Sequence, residues 1–422
     1  MLAGAQIVSV VVFVAVMALV VTEKIHRAIA ALLGAVALLV MGIVDFDTGM
    51  ESIDFNTLGV LCGMMLFVAC VKESGLFEYV AIRSAKLCKG QPWLIMVAFC
   101  IITAVFSALL DNVTTILLIG PMTIMLCRAL DIDATAFLIA EILASNIGGT
   151  ATLIGDPPNI MIGSAAGFSF FDFIRYDAPV AAVVLVVVIG IFWFLYGRKL
   201  HVAEENVRAV MALSEADAIK DKRLFRQSVA MTALVTAAFM LHGVLHLESS
   251  VIALGAAGVM LLISRVDLET AIEGVEWSTI GFFLGLFIVV GAMEHTGVIT
   301  MVGESLIAAT GGDVVLLMIA LLWGSAVLSA ILDNIPFVAT MIPIIGVMAS
   351  TGVDVFPLWW AISLGACLGG NGTLVGASAN VVLASIADKE GYPISFIGFT
   401  KVGLPIMVVS VAICTGYLLL IF

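Results

Sequence analysis

Charged side chains are scarce in this sequence. Asp, Glu, Lys and Arg together make up 12% of the 422 residues, and hydrophobic residues make up 62%. A soluble domain carries roughly 25% charged residues, and a helix needs about 20 apolar residues to cross a bilayer. Apolar runs of that length recur along the chain. A water-soluble protein is therefore excluded, and the sequence predicts an all-α polytopic membrane protein.

Sequence motifs of common enzymes are also lacking. The chain has no GxxxxGK[ST] phosphate loop, no HExxH and no GxSxG, which excludes ATP hydrolysis through a P-loop and argues against a membrane protease or esterase. The seven cysteines are scattered through apolar segments without CxxC or Cys/His spacing, and we interpret them as small hydrophobic residues of helices. No enzymatic activity, metal centre, cofactor or nucleic-acid partner is expected.

What the sequence does contain is a duplication. Three polar strings of the first half recur in the second half, at an offset of 221 or 222 residues. The pairs are FSALLDNVTTILLIGP (106–121) with LSAILDNIPFVATMIP (328–343), GGTATLIGDPPN (148–159) with GGNGTLVGASAN (369–380), and ESIDFNTLG (51–59) with EGVEWSTIG (273–281). Matching apolar segments that are interrupted by Gly or Pro in two halves indicate the binding site of a secondary transporter.

The apolar runs divide into ten predicted spans and two apolar hairpins. The predicted spans are 6–22, 28–44, 55–71, 134–167 and 178–197 in the first half, and 228–246, 250–264, 278–294, 357–386 and 402–421 in the second. The hairpins are 93–128 and 314–350, and each turns at an Asp-Asn pair. Each hairpin is either two full crossings or one re-entrant loop. Re-entrance is favoured, because neither turn has a cluster of solvent-type residues, and irregular backbone at membrane depth needs protein or a wet cavity around it.

The basic residues predict the orientation in the membrane. With the N-terminus outside, every Lys and Arg except Arg175 falls on the inner side. Five spans per half then turn the second half upside down relative to the first. The predicted domains are a first inverted repeat (1–197), a cytoplasmic linker (198–227) and a second inverted repeat (228–422). Both termini are expected on the outer side of the cell (inner) membrane, and the sequence leaves open whether a cytoplasmic ATPase subunit docks on the linker.

Each polar string is also a predicted helix start. Asp111 and Asp333 are expected to cap the returning legs of the two hairpins. Asp156 and Ser378 are expected to cap new half-helices where the fourth and ninth spans break. Four helix N-termini would then meet at one central site, each with free N–H groups and a partial positive charge. Such a site suits an oxygen-rich solute, whether anionic or neutral.

Candidate site residues follow from this arrangement. A capping carboxylate can serve its helix alone, but ionisable groups at membrane depth are costly and are functional candidates by default. The candidates for proton or ion coupling are Asp111, Asp156, Asp333 and Glu141. The candidates for direct contact with the solute are Asn112, Asn334, Thr150, Asn371, Thr373 and Asn380.

Two further features of the predicted site concern charge. The position of Asp156 is occupied by Ala377 in the second half, and this broken symmetry makes Asp156 the first candidate for coupling. No Lys or Arg falls inside a predicted span, so no cationic group is expected to bind a substrate anion.

Four of the strings resemble a known family. They are SALLDNVTTILLIGPMT, NIGGTATLIGDPPNIMIG, SAILDNIPFVATMIP and GACLGGNGTLVGASANVV, and they resemble the ArsB/NhaD group of the ion transporter superfamily, which contains arsenite permeases, sodium/proton antiporters and the P protein. The resemblance implies a secondary transporter with a scaffold and a moving transport domain in an elevator-like cycle. It also adds Thr114, Thr152 and Asn159 to the binding region. The second and fourth strings look closer to the P-protein branch than to familiar arsenite permeases.

The sequence-based hypothesis for the function is proton-coupled efflux of arsenite or antimonite. Both are uncharged trihydroxy species at neutral pH, and they would suit a polar site without a cation. The alternatives within the class are sodium/proton antiport, with the carboxylates as ion ligands, and anion transport by a citrate-type or P-protein-like carrier. A passive ion channel is the alternative from a different class, and it would need hairpin tips that line a continuous pore.

Overall fold

The computed structural model describes residues 4–22 and 24–422, and every regular element within these ranges is helical. The helices of the first half are α1 (Gly4–Thr22), α2 (Arg27–Val40), α3 (Phe46–Glu51), α4 (Phe55–Lys72), α5 (Leu76–Leu87), α6 (Pro92–Leu109), α7 (Asn112–Leu130), α8 (Thr135–Thr150), α9 (Pro157–Ala166), α10 (Phe170–Tyr176) and α11 (Ala178–Leu195). A 3₁₀ turn (Gly197–Lys199) and α12 (Glu204–Ala212) follow. The helices of the second half are α13 (Lys222–Leu245), α14 (Ser249–Ser264), α15 (Leu268–Glu273), α16 (Trp277–His295), α17 (Val298–Thr310), α18 (Val314–Ile331), α19 (Asn334–Ser350), α20 (Phe356–Gly369), α21 (Ser378–Lys389) and α22 (Phe396–Ile421). The predicted all-α fold is confirmed.

The two halves have the same order of helices. Helices α1 to α9 of the first half correspond in order to α13 to α21 of the second. The repeated strings fall on equivalent elements, because the hairpin turns lie between α6 and α7 and between α18 and α19. Helix α10 is the exception, since α22 follows α21 without a short helix between them. The inversion of the second half relative to the membrane stays a prediction.

Many helices have the length and the apolar surface of membrane spans. Within the described residues, nine helices are long and apolar enough to cross a bilayer, namely α1, α4, α6, α7, α11, α13, α16, α18 and α22. Large apolar side chains on the outer helices are exposed, among them Val11, Leu33, Val186 and Leu262. The predicted spans 134–167 and 357–386 each consist of two helices with a break, at 151–156 and 370–377. Both breaks were predicted from the Gly pairs and are confirmed.

One group of helices joins the two halves by crossed pairs. Helix α2 packs against α16, and α4 packs against α14, with α1 and α13 beside them. At the α4–α14 contact, a methyl group on Gly63 would lie 2.5 Å from the carbonyl carbon of Ala253 and 2.6 Å from the amide nitrogen of Leu254. Gly285 of α16 makes the equivalent contact with the backbone of α2. Small residues allow this close approach of helices within a membrane.

We expect Gly63→Ala to destabilise the protein by about 1–3 kcal/mol, because the new methyl group would push α14 away. The matched control is Gly255→Ala on α14, where a methyl group meets nothing within 4 Å. Alanine is favoured over glycine in a helix by up to about 1 kcal/mol, so the control should be neutral or stabilising. Thermal unfolding in detergent measures both variants. Equal melting temperatures of the two variants would contradict this close contact.

A second group contains the hairpins and the interrupted spans. Helix α6 lies against α8, and α18 lies against α20. Helix α7 of the first half contacts α21 of the second, and α19 of the second contacts α9 of the first. Helices α11 and α22 pack on α8 and α20. The returning leg of each hairpin therefore meets the broken helix of the other half, which brings both turns and both breaks to one place.

The linker between the halves packs on the first half. Helix α12 contacts α5 and α7, and Asn206 donates a hydrogen bond to the carbonyl oxygen of Leu130 at 3.1 Å. Glu215 forms ion pairs with Lys86 at 2.6 Å and with Arg83 at 3.0 Å. The hydrogen bond from Lys86 is the main cause that lowers the pKa of Glu215 to about 2, so the carboxylate that fastens the linker stays ionised at neutral pH.

Some predicted boundaries are wrong. The linker does not extend to residue 227, because α13 begins at Lys222, where Asp221 accepts hydrogen bonds from the backbone N–H groups of Arg223 and Leu224. The predicted span 28–44 is shorter in the structure, because α2 ends at Val40 and the chain turns after it. Helices α3, α5, α10, α15 and α17 were not predicted, since each is shorter than a span.

Candidate functional site

Both hairpin tips are buried, and both start the returning helix as predicted. The carboxylate of Asp111 accepts hydrogen bonds from the N–H group of Thr114 at 2.7 Å and from its hydroxyl at 2.6 Å. Asp333 accepts from the N–H group of Ile335 at 3.2 Å. The predicted caps Asp111 and Asp333 are confirmed. Since Asp111 is only 5% exposed, protein surrounds the backbone of this turn, which favours the re-entrant interpretation.

The two breaks are held by the same kinds of side chain in both halves. Asn159 donates its amide hydrogens to three carbonyl oxygens of the first break at 3.0–3.3 Å. Asn380 donates to two carbonyl oxygens of the second break at 2.7 and 3.0 Å. Thr152 and Thr373 each donate at 2.5 Å to a carbonyl oxygen of α6 or α18. The asparagines thus satisfy carbonyl groups at the breaks, and the threonines satisfy carbonyl groups at the ends of α6 and α18. The predicted contact of these side chains with a solute stays a proposal.

A chain of amide groups joins the breaks to the first hairpin tip. Asn146 of α8 donates to the Oδ1 atoms of Asn371 and Asn380 at 2.9 Å each, and it accepts from Asn112 at 3.3 Å. Asn146 is fully buried. Asn146 was not predicted, because the second half has Cys367 at this position and the comparison of the halves selects recurring polar residues. Its place two residues before a Gly pair was the available signal.

Asp156 joins the first break to the second hairpin tip. Its two carboxylate oxygens accept from Nδ2 of Asn334 at 3.1 and 3.0 Å, and the side chain is buried. The prediction that this carboxylate caps α9 is wrong. Asp156 occupies the N-cap position, but its side chain accepts no capping hydrogen bond from the described residues, because it is turned towards Asn334.

The predicted cap of α21 is also wrong. Ala377 occupies the N-cap position, and Ser378 is the first helical residue. The hydroxyl of Ser378 donates to Oδ2 of Asp333 at 2.6 Å instead. The start of α21 is thus bound to the second hairpin tip and not to its own backbone.

A basic side chain lies at the site, contrary to the prediction. The guanidinium of Arg27 donates to Oδ2 of Asp333 and to Oγ1 of Thr279, at 3.0 Å each. It also hydrogen-bonds the hydroxyl of Ser378. Thr279 in turn donates to Glu276 at 2.9 Å. A cation was not expected because Arg27 directly precedes the predicted span 28–44. Arg27 is the first residue of α2, and its partly exposed side chain reaches the second hairpin tip.

These side chains surround a central cavity of about 20 Å³. Its lining residues are Arg27, Leu61, Met65, Asp111, Asn112, Val113, Asp156, Pro157, Glu276, Thr279, Asn334, Ile335 and Ser378. A cavity of this size has room for about one water molecule. A larger solute would therefore need a wider conformation. A second cavity of about 300 Å³ adjoins Arg27, Asp333 and Ser378, between α1 and α21.

Four helix N-termini meet at the central cavity, as predicted. The first residues of α7, α9, α19 and α21 all line it; they are Asn112, Pro157, Asn334 and Ser378. The partial positive charges of these helix starts and the guanidinium of Arg27 favour an anion. Helix α9 contributes no N–H group from its first two positions, because they are Pro157 and Pro158. Asp111, Asp156 and Glu276 add carboxyl groups to the same lining. The arrangement can therefore hold an anion and protons together.

The other predicted residues lie outside the lining of the central cavity; they are Thr114, Glu141, Thr150, Thr152, Asn159, Asp333, Asn371, Thr373 and Asn380. Glu141 is buried within α8, where it hydrogen-bonds the hydroxyl of Thr123. Thr150 donates to the carbonyl oxygen of Asn146 in its own helix at 2.7 Å. Thr114 faces a separate cavity of about 270 Å³ beside α4. Within residues 4–22 and 24–422, no group of three or more His, Cys, Asp or Glu side chains is placed to hold a metal ion.

Comparison with known proteins decides the family. The sequence profile of the citrate transporter family, CitMHS, matches residues 17–365, which is most of the chain. The chain belongs to the CitMHS citrate transporter family. It is a multi-pass membrane transporter and not an enzyme, and the predicted class is confirmed.

Relatives of this CitMHS protein cover nearly its whole length. An uncharacterized transporter of Mycobacterium tuberculosis is 42% identical over 424 residues, which cover 98% of each chain. The P protein of Homo sapiens is 34% identical over 95% of this chain and 58% of its own length. The resemblance to P protein is confirmed. The finer assignment to the ArsB/NhaD group stays a prediction.

A solved structure shares the fold of this CitMHS protein. The crystal structure of the YdaH transporter of Alcanivorax borkumensis, described as having an unusual topology, matches with a TM-score of 0.55. The match covers 90% of this chain and 88% of the YdaH chain, at 14% sequence identity. At this identity the likeness shows the fold alone.

Proposed function

We propose that the protein is a secondary transporter that carries a small carboxylate anion of the citrate type together with protons across the cell membrane. The observation that carries this proposal is the guanidinium of Arg27 at the second hairpin tip. A guanidinium can donate two parallel hydrogen bonds to a carboxylate. Here its carboxylate partner is Asp333 of the protein itself, and we propose that a substrate carboxylate replaces Asp333.

The surroundings of Arg27 support binding of an anion from the neighbouring cavity. That cavity of about 300 Å³ is lined by His26, Arg27, Asp333 and Ser378 and by apolar side chains of α1 and α21. Small-molecule sites combine such an apolar wall with a few converging polar groups. The start of α21 at Ser378 adds free N–H groups to the same wall. A carboxylate that enters there meets the guanidinium first.

Asp333 links the anion to a proton in this proposal. While Asp333 is ionised, it competes with the substrate for Arg27. Once it is protonated, Arg27 is released, and the protein carries a proton together with the anion. Asp111 and Asp156 line the neighbouring central cavity, and each can be neutralised by a proton in the same way. A ligand shifts a conformational equilibrium only by its difference in affinity between the states, and the exchange of partners at Arg27 provides that difference.

One of the other sequence-based hypotheses loses support from this geometry. Efflux of arsenite or antimonite was favoured by a site without a cation, and Arg27 removes that reason. Sodium/proton antiport stays the alternative, because carbonyl oxygens of a broken helix can bind Na⁺ together with a carboxylate such as Asp156.

Uptake of radiolabelled citrate into proteoliposomes that contain the purified protein tests the function. With an acidic exterior, we expect uptake above that of protein-free liposomes, and a protonophore should abolish the accumulation. Malate and succinate in place of citrate define the range of carboxylates. The proposal fails if none of the three is taken up, and a pH gradient that collapses on addition of sodium alone or arsenite alone would identify the alternative.

A further inference from the structure

Asp177 is a fully buried carboxyl group outside the central cavity. It lies between α10 and α11, and its backbone connects them, because its N–H group bonds the carbonyl oxygen of Phe173 and its own carbonyl oxygen accepts from Ala181. Its Oδ2 atom lies 2.5 Å from the hydroxyl oxygen of Ser363 on α20. Its Oδ1 atom has no hydrogen-bond partner among the described residues.

The hydrogen bonds around Ser363 fix the protonation of Asp177. The Ser363 hydroxyl oxygen also lies 2.8 Å from Oδ1 of Asn159. The Asn159 amide cannot be turned round, because its Nδ2 donates to three carbonyl oxygens of the first break. Both neighbours of Ser363 are therefore acceptors if Asp177 is ionised, yet a serine hydroxyl has a single hydrogen to donate. Both contacts are hydrogen bonds only if protonated Asp177 donates to Ser363 and Ser363 donates to Asn159.

The described surroundings of Asp177 contain no positive charge that would stabilise its ionised form. Within residues 4–22 and 24–422, no Lys, Arg or His forms an ion pair with Asp177. The titratable groups near it are the Tyr417 hydroxyl and the Cys367 and Cys414 thiols. An unpaired buried charge is costly, and such a group takes up a proton instead.

An aromatic cluster separates this carboxyl group from water. Trp360, one helical turn before Ser363, stacks on Phe168 and on Tyr176 with ring centroids 4.8 Å apart in each case. Phe173 meets the edge of the same indole at 5.3 Å. A proton on Asp177 is thus enclosed and can be exchanged only when this region moves.

We propose that Asp177 is a second proton-binding group of the transporter and that its proton is linked to the shape of the break between α8 and α9. The link passes through Ser363 to Asn159, the residue that ties the break together beside Asp156. If the break rearranges and Asn159 leaves Ser363, the hydroxyl becomes free to donate to Asp177, and the carboxyl group can release its proton to water. Linkage is reciprocal, so protonation of Asp177 favours the arrangement of the break in which Ser363 is bonded to Asn159. The role in transport rests on the proton coupling proposed above, whereas the protonation itself does not.

Infrared spectroscopy of the protein in lipid nanodiscs tests the protonation without any substrate. A protonated carboxyl group has a C=O stretching band that an ionised carboxylate lacks. In Asp177→Asn, we expect the intensity of this band to fall by the contribution of one carboxyl group. Asparagine keeps the shape of the side chain and can still donate to Ser363. In Ser363→Ala the band should remain and move to higher wavenumber, because the carboxyl group loses its partner. Asp388→Asn, at an exposed position, should leave the band unchanged.

The same variants test the link to transport. If citrate is carried, Asp177→Asn should retain uptake but lose one titration step from the dependence of the rate on pH, because the amide imitates the protonated form permanently. Spectra of the wild type and Asp177→Asn that coincide would overturn the assignment of the proton, and identical pH profiles would overturn the link. Absence of citrate uptake in the wild type would count against the proposed function alone, since the infrared result does not depend on it.

Discussion

Arg27→Gln is expected to lower citrate uptake, measured as kcat/KM, by about 100-fold or more. Glutamine retains a hydrogen-bond donor but lacks the charge and the two parallel N–H groups that hold a carboxylate. Truncating one partner of a buried, hydrogen-bonded charge pair costs about 2–5 kcal/mol. Because the side chain of Arg27 is 22% exposed, we take the lower part of this range, and each 1.4 kcal/mol is a factor of ten. Initial rates of radiolabelled citrate uptake into proteoliposomes, over a range of citrate concentrations, measure the effect.

Two variants serve as controls for Arg27→Gln. Arg27→Lys keeps the charge and should have an intermediate rate. Arg128→Gln removes an arginine whose ion pair with Glu390 is about half exposed, and it should transport at the wild-type rate. If Arg27→Gln also transports at the wild-type rate, Arg27 serves only to hold Asp333, and the anion binds elsewhere.

Asp156→Asn is expected to separate citrate movement from proton movement. The carboxylate of Asp156 takes both of its hydrogen bonds from Asn334, so its protonation changes the contact between the first break and the second hairpin tip. An asparagine cannot ionise, so the contact between the first break and the second hairpin tip would no longer change with the binding of a proton. One coupled proton and a gradient of one pH unit supply about 1.4 kcal/mol, which sustains up to about tenfold accumulation of citrate. In the variant this accumulation should fall to the level reached without a gradient, while exchange of citrate for citrate continues.

Measuring citrate exchange and citrate accumulation in the same variant distinguishes loss of proton coupling from loss of the fold. Asp388→Asn changes an exposed carboxylate and should accumulate citrate like the wild type. Loss of both exchange and accumulation in Asp156→Asn, in a monodisperse protein, would mean that Asp156 is needed for binding. If accumulation persists in the variant, Asp156 has only a structural role, in which it joins the two halves through its hydrogen bonds to Asn334.

Features that depend on local sequence were predictable. The caps at the hairpin tips involve neighbours, since Asp111 bonds a residue three positions away. The breaks follow from Gly pairs that occur in both halves, and the predicted meeting of four helix starts needed only the duplication and the approximate orientation. The same reasoning gave Asn380, and the family resemblance added Asn159. Both tie the breaks together, although their hydrogen bonds go to backbone.

The rest of the site depends on contacts between residues far apart in the chain. Arg27 and Asp333 are separated by 306 positions, and nothing in the sequence around Arg27 indicates that its side chain reaches the second hairpin tip. The contact between Ser363 and Asp177 spans 186 positions. These contacts result from the packing of the hairpins and broken helices against one another. Comparing the two halves does not reveal the pair of Arg27 and Asp333, because Asp333 recurs as Asp111 but the residue at the position of Arg27 in the second half is Ser249.

The crossed pairing of α2 with α16 sets a waiting time during synthesis of the chain. Helix α16 begins at Trp277, which is 250 residues after α2 begins at Arg27 (277 − 27). At about 5–20 residues per second, α2 remains without its partner for roughly 12–50 s. During that time Arg27 also lacks Asp333, and α4 lacks the helix that Gly63 will meet. The membrane-insertion machinery therefore has to hold a half-made chain whose helices cannot yet pair, and a first half produced alone should be degraded unless the second half is supplied as a separate chain.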